Sequence, residues 1–316
     1  MTPLQRYIAE EIATDHVDGL LSRREAIRRL GLLGVSAAGA SALIAACGGE
    51  GTTPTASSSE TATSPATSTS PPAAPTTPAE PPPGAAEARP TAPITWAGPA
   101  GDLQGAWAEA TAPRGGVLVI HENKGLNDWT RSVAGRLAGI GYSSLAIDLL
   151  SANGGTATFA DPAEATAALG NIAPEVLIAD LKSGLAEVQQ RLPGQKIAAV
   201  GFCMGGGLVW RLLDSGVPEL AAAVPFYGPT PDDPDFAGSA QAAVLAFYGA
   251  LDARVNATEQ AARTALEQAD MVHDIVIEDG ADHAFFNDTG QRYNPVAALD
   301  AWTRMSDWFD AHLAPS

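Results

Sequence analysis

Four side chains in this 316-residue chain have the types and settings for acyl-transfer chemistry: Cys203, Asp252, His283 and Glu122. Cys203 lies in Gly201-Phe202-Cys203-Met204-Gly205-Gly206, between a short apolar run, Lys196 to Val200, and a helix-like run, Leu208 to Leu213. Strand, sharp turn and helix with one reactive side chain at the tip is the pattern of a nucleophile elbow in its cysteine form. The glycines have a steric role, since neighbours without Cβ atoms let strand and helix approach closely enough to make the turn. A thiol at a helix start is expected to lean toward thiolate in the field of the helix dipole. The bland alternative is a small buried core cysteine; glycines on both sides and the strand-to-helix position favour the nucleophile.

Asp252 follows the apolar run that ends at Tyr248, and His283 sits in Gly280-Ala281-Asp282-His283-Ala284-Phe285. Taken singly, Asp252 reads as a turn or N-cap residue and His283 as a loop histidine. The order nucleophile, acid, histidine is that of α/β-hydrolases. In that arrangement the imidazole is general base to the thiol, or forms a thiolate–imidazolium pair with it, and the carboxylate orients the ring. Asp282 is a rival acid, but a sequence neighbour cannot easily face the same imidazole. His16, His273 and His312 have no partners in the pattern and read as structural. The loop His121-Glu122-Asn123-Lys124-Gly125-Leu126-Asn127 follows the first long strand. Such a loop donates one backbone N–H to an oxyanion hole, here that of Asn123, and Met204 after the nucleophile donates the other. A carboxylate at Glu122 is expected to hold the thiol neutral by hydrogen bonding until substrate displaces it; a surface glutamate is the alternative. No His, Cys or carboxylate spacing suggests a metal site, and the chemistry needs no cofactor.

Strand-like and helix-like runs alternate around these residues. Strands are expected near 104–109, 116–120, 144–148, 196–200, 221–226, 244–248 and 274–277. Helices are expected near 127–137, 174–191, 258–268 and 295–312, with 151–171 a loop and a short helix. The alternation predicts an α/β fold with a mostly parallel central sheet flanked by helices, in which sites lie beyond the C-terminal strand ends.

The N-terminal region reads differently. Ser22-Arg23-Arg24-Glu25-Ala26-Ile27-Arg28 resembles a twin-arginine export signal, and the apolar run Leu30 to Ala46 ends at Ile44-Ala45-Ala46-Cys47, which resembles a lipobox whose cysteine is lipidated. The run is shorter than the ~20 residues a membrane span needs, which argues against an uncleaved anchor. Residues 1–46 are therefore expected to be a lipoprotein signal segment, with the rest of the chain exported and lipid-anchored to the cell membrane through Cys47. Residues 47–93, rich in Ser, Thr, Pro and Ala, are expected to be a disordered tether. Residues 94–316 have the length of one domain with a real core. The formal charge of −18 excludes nucleic acid and a basic membrane-surface patch. Two cysteines with separate roles give no disulfide framework.

Residues 94–316 resemble the dienelactone hydrolase family (carboxymethylenebutenolidases), α/β-hydrolases with a Cys-His-Asp triad. The resemblance rests on Cys203 in G-F-C-M-G-G, Asp252 in Y-G-A-L-D, His283 in G-A-D-H-A-F and Glu122 in H-E-N-K-G-L-N. It implies a glutamate at position 122 that gates the thiolate, and a small-molecule ester or lactone substrate. The family's founding enzymes hold a substrate carboxylate with two arginines, one of them four residues after the histidine; here that position is Asn287, and no arginine occurs from Leu137 to Gln190. Arg292 and Lys124 are the remaining candidates for an anion anchor. The expected function is an exported hydrolase of esters or lactones acting through an acyl-enzyme. The alternatives are a non-catalytic surface protein that captures ligand in the same pocket, and a thiol redox-responsive protein.

Overall fold

The computed structural model describes residues 1–47 and 81–313. The N-terminal residues form three helices, α1 (Pro3–Val17), α2 (Arg23–Leu32) and α3 (Ala37–Cys47). After residue 80 come strands β1 (Thr91–Ala97), β2 (Asp102–Ala108) and β3 (Gly116–Ile120), helix α4 (Asp128–Gly139), strand β4 (Ser143–Asp148), and helices α5 (Pro162–Gly170) and α6 (Pro174–Arg191). Then follow β5 (Ile197–Phe202), α7 (Met204–Asp214), β6 (Leu220–Phe226), β7 (Ala243–Gly249), the short α8 (Ala253–Asn256), α9 (Glu259–Gln268), β8 (His273–Glu278) and α10 (Pro295–Leu313).

The eight strands make one sheet in the order β1-β2-β4-β3-β5-β6-β7-β8; β2 pairs antiparallel with both β1 and β4, and all other pairings are parallel. The α/β class with a mostly parallel, helix-flanked sheet is as the sequence predicts. Every residue of β3, β5 and β7 is buried. That is why these strands are continuous apolar runs rather than alternating ones: helices cover both faces. β3 and β5 are neighbours, yet the chain leaves β3 toward β4 and leaves β5 toward β6. The connections diverge there, so a crevice opens beyond the two strand ends, the ligand position of open α/β sheets. Cys203 and the 121–127 loop both emerge at that crevice.

One expectation about the first third of the chain is corrected. The tether does not extend to residue 93: β1 starts at Thr91 and pairs along its length with β2, and residues before it dock on the domain. Arg89 N–H donates to Gly135 O at 2.9 Å, and Gly84 lies against Trp302 so closely that a Cβ would fall 2.4 Å from the ring. Residues 48–80 of the expected tether lie outside the described residues. The apolar run Leu30–Ala46 is divided between α2 and α3, and among the described residues no helix is long and apolar enough to cross a membrane.

Beneath the crevice lies an aromatic cluster. Phe202 and Phe226 are 4.8 Å apart between ring centroids, Phe226 and Phe247 4.6 Å, and Phe202 and Phe286 5.5 Å. Three of these rings come from neighbouring strand ends and the fourth from the His283 loop, so the cluster ties that loop to the sheet. A second tie is Arg136 of α4, 2 % exposed. Its guanidinium pairs with Asp288 at 2.7 Å, and Trp129 Nε1–H donates to the same carboxylate oxygen at 2.9 Å. Removing the carboxylate leaves a buried cation without its ion-pair partner, a change that costs about 3 kcal/mol or more. Asp288→Ala is expected to lower unfolding stability by that amount in a urea titration, and an unchanged midpoint would show that the tie is dispensable.

Candidate active site

Cys203 is the link between β5 and α7, held at φ 56° and ψ −117°. Its N–H donates to Phe226 O of β6 at 3.1 Å, and its carbonyl accepts from Gly207 N–H at 3.0 Å. The turn is possible because two neighbours lack side chains: a Cβ on Gly201 would fall 2.2 Å from Gly205 O, and one on Gly205 2.4 Å from Ile120 O. The thiol is 2 % exposed, at the bottom of a cavity of about 390 Å³ lined in part by Glu122, Asn123, Lys124 and His283.

Asp252 and His283 meet as the sequence order implies. His283 Nδ1 lies 2.6 Å from Asp252 Oδ2, and both residues are buried. The other carboxylate oxygen of Asp252 caps α8, accepting from Val255 N–H at 3.2 Å. The residue is thus both the N-cap and the acid. Burial works against ionising this pair, but the mutual hydrogen bond and charge prevail. Asp252 is held below the usual carboxylate range, with Arg254 and the Val255 N–H adding to the effect. His283 is raised above an ordinary imidazole, the Asp252 contact and the nearby Glu11 carboxylate outweighing its desolvation. Asp282 is not the acid: it accepts from the His283 backbone N–H at 2.7 Å and faces Arg292 at 3.3 Å. Nε2 of His283, the nitrogen that must serve the thiol, is buried with no hydrogen-bond partner among the described residues.

Glu122 does not reach the thiol as expected. Its carboxylate accepts from Asn287 Nδ2 at 2.8 Å and from Tyr227 O–H at 3.4 Å. Asn287, where the resemblance leads one to look for an arginine, is therefore the residue that holds Glu122. Burial raises the Glu122 pKa, against the opposing pull of Lys124 and Asn287. His121, buried and not singled out in the sequence, fixes the loop: Nδ1 meets Glu122 O at 2.6 Å, and Nε2 accepts from Leu149 N–H at 3.3 Å. Asn123 is buried on the cavity wall. Met204 is the first residue of α7 and is buried directly after the nucleophile.

The thiol's neighbours come instead from the N-terminus. Tyr7 Oη of α1 is 3.4 Å from Cys203 Sγ, and the two carboxylate oxygens of Glu11 are 3.5 and 3.4 Å from it. Glu11, Cys203 and His283 present their donor atoms within 4.8 Å of one another. Nothing local in the sequence pairs residues 7 and 11 with residue 203. The missed signal was the face of α1 itself, where Tyr7, Glu11 and Asp15 recur every four residues along one side of a helix. Arg292, the candidate anion anchor, is taken up by the same helix, with Asp15 at 2.8 Å and Asp18 at 2.5 Å.

The expectation of a thiolate-leaning sulfur is corrected for this arrangement. Burial pushes the Cys203 pKa well up, and the Glu11 and Glu122 carboxylates push it further. The Met204 N–H at the helix start and the Tyr7 hydroxyl pull the other way and are outweighed.

With this geometry in view, the comparisons with known proteins are specific. The model of the "Dienelactone hydrolase family" matches residues 103–313. A protein of Escherichia coli O157:H7 named a carboxymethylenebutenolidase is 32 % identical over 206 residues, 61 % of this chain and 75 % of its own. The crystal structure of a protein from Klebsiella pneumoniae, named as a dienelactone hydrolase, superposes with a TM-score of 0.60 at 29 % identity, covering 70 % of this chain and all of that one. A dienelactone hydrolase-like promiscuous phosphotriesterase from metagenomic libraries superposes with a TM-score of 0.55 at 26 % identity, covering 72 % of this chain and all of that one. The family match spans two thirds of the sequence and contains Glu122, Cys203, Asp252 and His283, and the chain is a hydrolase that belongs to the dienelactone hydrolase family.

Proposed function

We propose that this hydrolase cleaves esters or lactones through a Cys203-His283-Asp252 triad. The observation that carries the reading is the pairing of a strained, helix-initiating thiol with a buried imidazole in one cavity. That imidazole is fixed at Nδ1 by Asp252 and unpartnered at Nε2. His283 Nε2 takes the thiol proton as Cys203 Sγ attacks the carbonyl carbon. The N–H groups of Met204 and Asn123 receive the oxyanion. Collapse of the tetrahedral intermediate expels the alcohol, which takes the proton from His283, and leaves a thioester on Cys203. Water, deprotonated at the same nitrogen, then attacks the thioester and releases the acid. Asp252 keeps the ring in one tautomer and stabilises its cationic form. Glu122 acts on this site through its charge and through the loop that carries Asn123, because its hydrogen bonds go to Asn287 and Tyr227.

While α1 is docked, the lining favours a neutral ester or lactone over a carboxylated dienelactone. Asn287 is committed to Glu122, and Arg292 to three aspartates, two of them on or just beyond α1, so that of the two candidate anchors only Lys124 is left to meet an anion.

Export and lipid anchoring at Cys47 belong to the same proposal. Helix α3 is built of small and apolar residues, Ser41 apart; it buries Ala40 and packs Leu43 and Ile44 part-buried against the core, while Ala42, Ala45 and Ala46 stay exposed. Cys47 at its end is exposed. A cell fraction labelled with an alkynyl fatty acid is expected to carry the label on the wild-type chain and to lose it in Cys47→Ala; equal labelling would remove the lipobox reading.

Two further outcomes test the chemistry. With the thiol uncovered by Glu11→Ala, turnover of neutral aryl esters and lactones is expected to fall at least 10³-fold when Cys203→Ala is added, in line with the loss of a nucleophile. Retained turnover would sink the thioester route. The pH profile of kcat/KM tests the base. A raised His283 pKa keeps the imidazole protonated to higher pH, so the acid limb is expected above the ordinary imidazole value of ~6.5. Asp252→Asn removes the main cause of the raised value. The limb should then move to lower pH while the rate falls by about 10⁴, and a limb that stays in place would show that His283 is not the titrating base.

A further inference from the structure

Helix α1 has the features of a segment evolved to dock, not merely to be discarded. Pro3 occupies its first turn, and Thr2 and Gln5 form a reciprocal capping box, with Thr2 Oγ1 accepting from Gln5 N–H at 3.1 Å and Gln5 Oε1 from Thr2 N–H at 2.8 Å. It buries Leu4, Tyr7, Ile8, Ala9, Ile12 and Ala13, in contrast to the single alanine buried by α3. Polar contacts fasten it from several elements. Arg292 pairs with Asp15 and Asp18, Gln5 Nε2 donates to Asn171 Oδ1 at 2.9 Å, and the Arg254 guanidinium lies 4.6 Å from the centre of the Tyr7 ring. Helix α2 adds Arg28 to Asp161 at 2.8 Å.

The docked helix sets Glu11 and Tyr7 where a substrate has to be. A carbonyl carbon under attack must stand about 3–3.5 Å from the nucleophile, and both Glu11 carboxylate oxygens and the Tyr7 hydroxyl already occupy that shell on the α1 side of Sγ, with Glu11 also lining the cavity that reaches the thiol. The block is also electrostatic. The Glu11 carboxylate is, after burial, the largest influence keeping the thiol protonated. Other charges facing the sulfur are Glu122 and the raised His283, with Arg254 beyond Tyr7. One side chain therefore excludes the substrate and opposes formation of the nucleophile.

We infer that α1 is a built-in plug: the full chain is a latent hydrolase, and displacement or removal of residues 1–46 opens the site. This rests on the hydrolase reading above, and cleavage before Cys47 would carry out the removal. The test uses the full chain in a Cys47→Ser background, so that Cys203 is its one thiol. Two variants loosen the plug by different routes: Glu11→Ala clears the sulfur, and Asp15→Asn with Asp18→Asn releases Arg292 without touching the thiol's neighbours. Both the rate of Cys203 alkylation by iodoacetamide and kcat/KM for a neutral aryl ester are expected to rise at least tenfold in each variant. The alkylation rate of the parent chain should also rise with ionic strength, because the partly exposed docking pairs are screened by salt. Faster alkylation without ester turnover in any form would uphold the plug and refute the hydrolase reading. High turnover by the parent chain that is unchanged or lower in both variants would refute the plug and uphold the hydrolase, making α1 a permanent wall of the pocket.

Discussion

A non-glycine residue at φ 56° and ψ −117° persists only where its surroundings over-determine it, and Cys203 is fixed from three sides. Its N–H is tied to β6, its carbonyl starts the hydrogen bonding of α7, and the glycines at 201 and 205 let the helix start press against the ends of β3 and β5. The rest of the site follows from that reversal. It sets the sulfur above the crevice between diverging β3 and β5, next to the loop that carries Asn123. His283 then has to come to a fixed point. It does so on a loop pinned by Phe286 in the aromatic cluster and by Asp288 on the Arg136 guanidinium.

Three carboxylates surround this one thiol, and their environments give them different roles. Asp252 meets an imidazole, a guanidinium and a backbone N–H, and stays ionised despite burial. Glu122 is enclosed with two neutral donors, and burial raises its pKa. Glu11 arrives on a helix from outside the catalytic domain and faces the sulfur itself. The same functional group therefore orients a base, braces a loop and opposes thiolate formation. The helix-start bias toward thiolate is real but smaller than the combined effect of desolvation and two like-signed neighbours.

Much of this was legible from local pattern. The buried strands announced themselves as apolar runs, α6 matches its expected range at Pro174–Arg191, and Asp252 and His283 were placed by chain order after strands that the structure confirms. What escaped the sequence shares one physical cause: it depends on partners far along the chain. β1 is an edge strand containing Pro93, with Trp96 its one buried residue, so its composition is that of a linker and its register comes from β2. Glu122 was expected at the thiol because both lie at the same crevice, but the Asn287 amide and Tyr227 hydroxyl, more than 100 residues away, claim its oxygens. The contact of α1 with Cys203 spans 196 residues. An amphipathic face shows that a helix will be buried, and does not name the surface that buries it.

The balanced charge of the first 46 residues, five basic and five acidic, conceals a division of labour. The acidic side chains Glu10, Glu11, Asp15 and Asp18 lie on or just beyond α1, whereas Arg23, Arg24, Arg28 and Arg29 lie on α2. The acidic half finds its complement in Arg292 and Arg254 beside the site. The basic half closes on the domain only in part: Arg28 pairs with Asp161, while Arg23 and Arg24 remain exposed with α1 docked. An export signal read at those two arginines and a plug set at Glu11 therefore make no competing demand on the same residues. On the proposed reading, one N-terminal segment is able to be recognised while it keeps the thiol covered. The end of α3 differs from both: Leu43 and Ile44 still pack against the core, and Ala45, Ala46 and Cys47 beyond them are exposed.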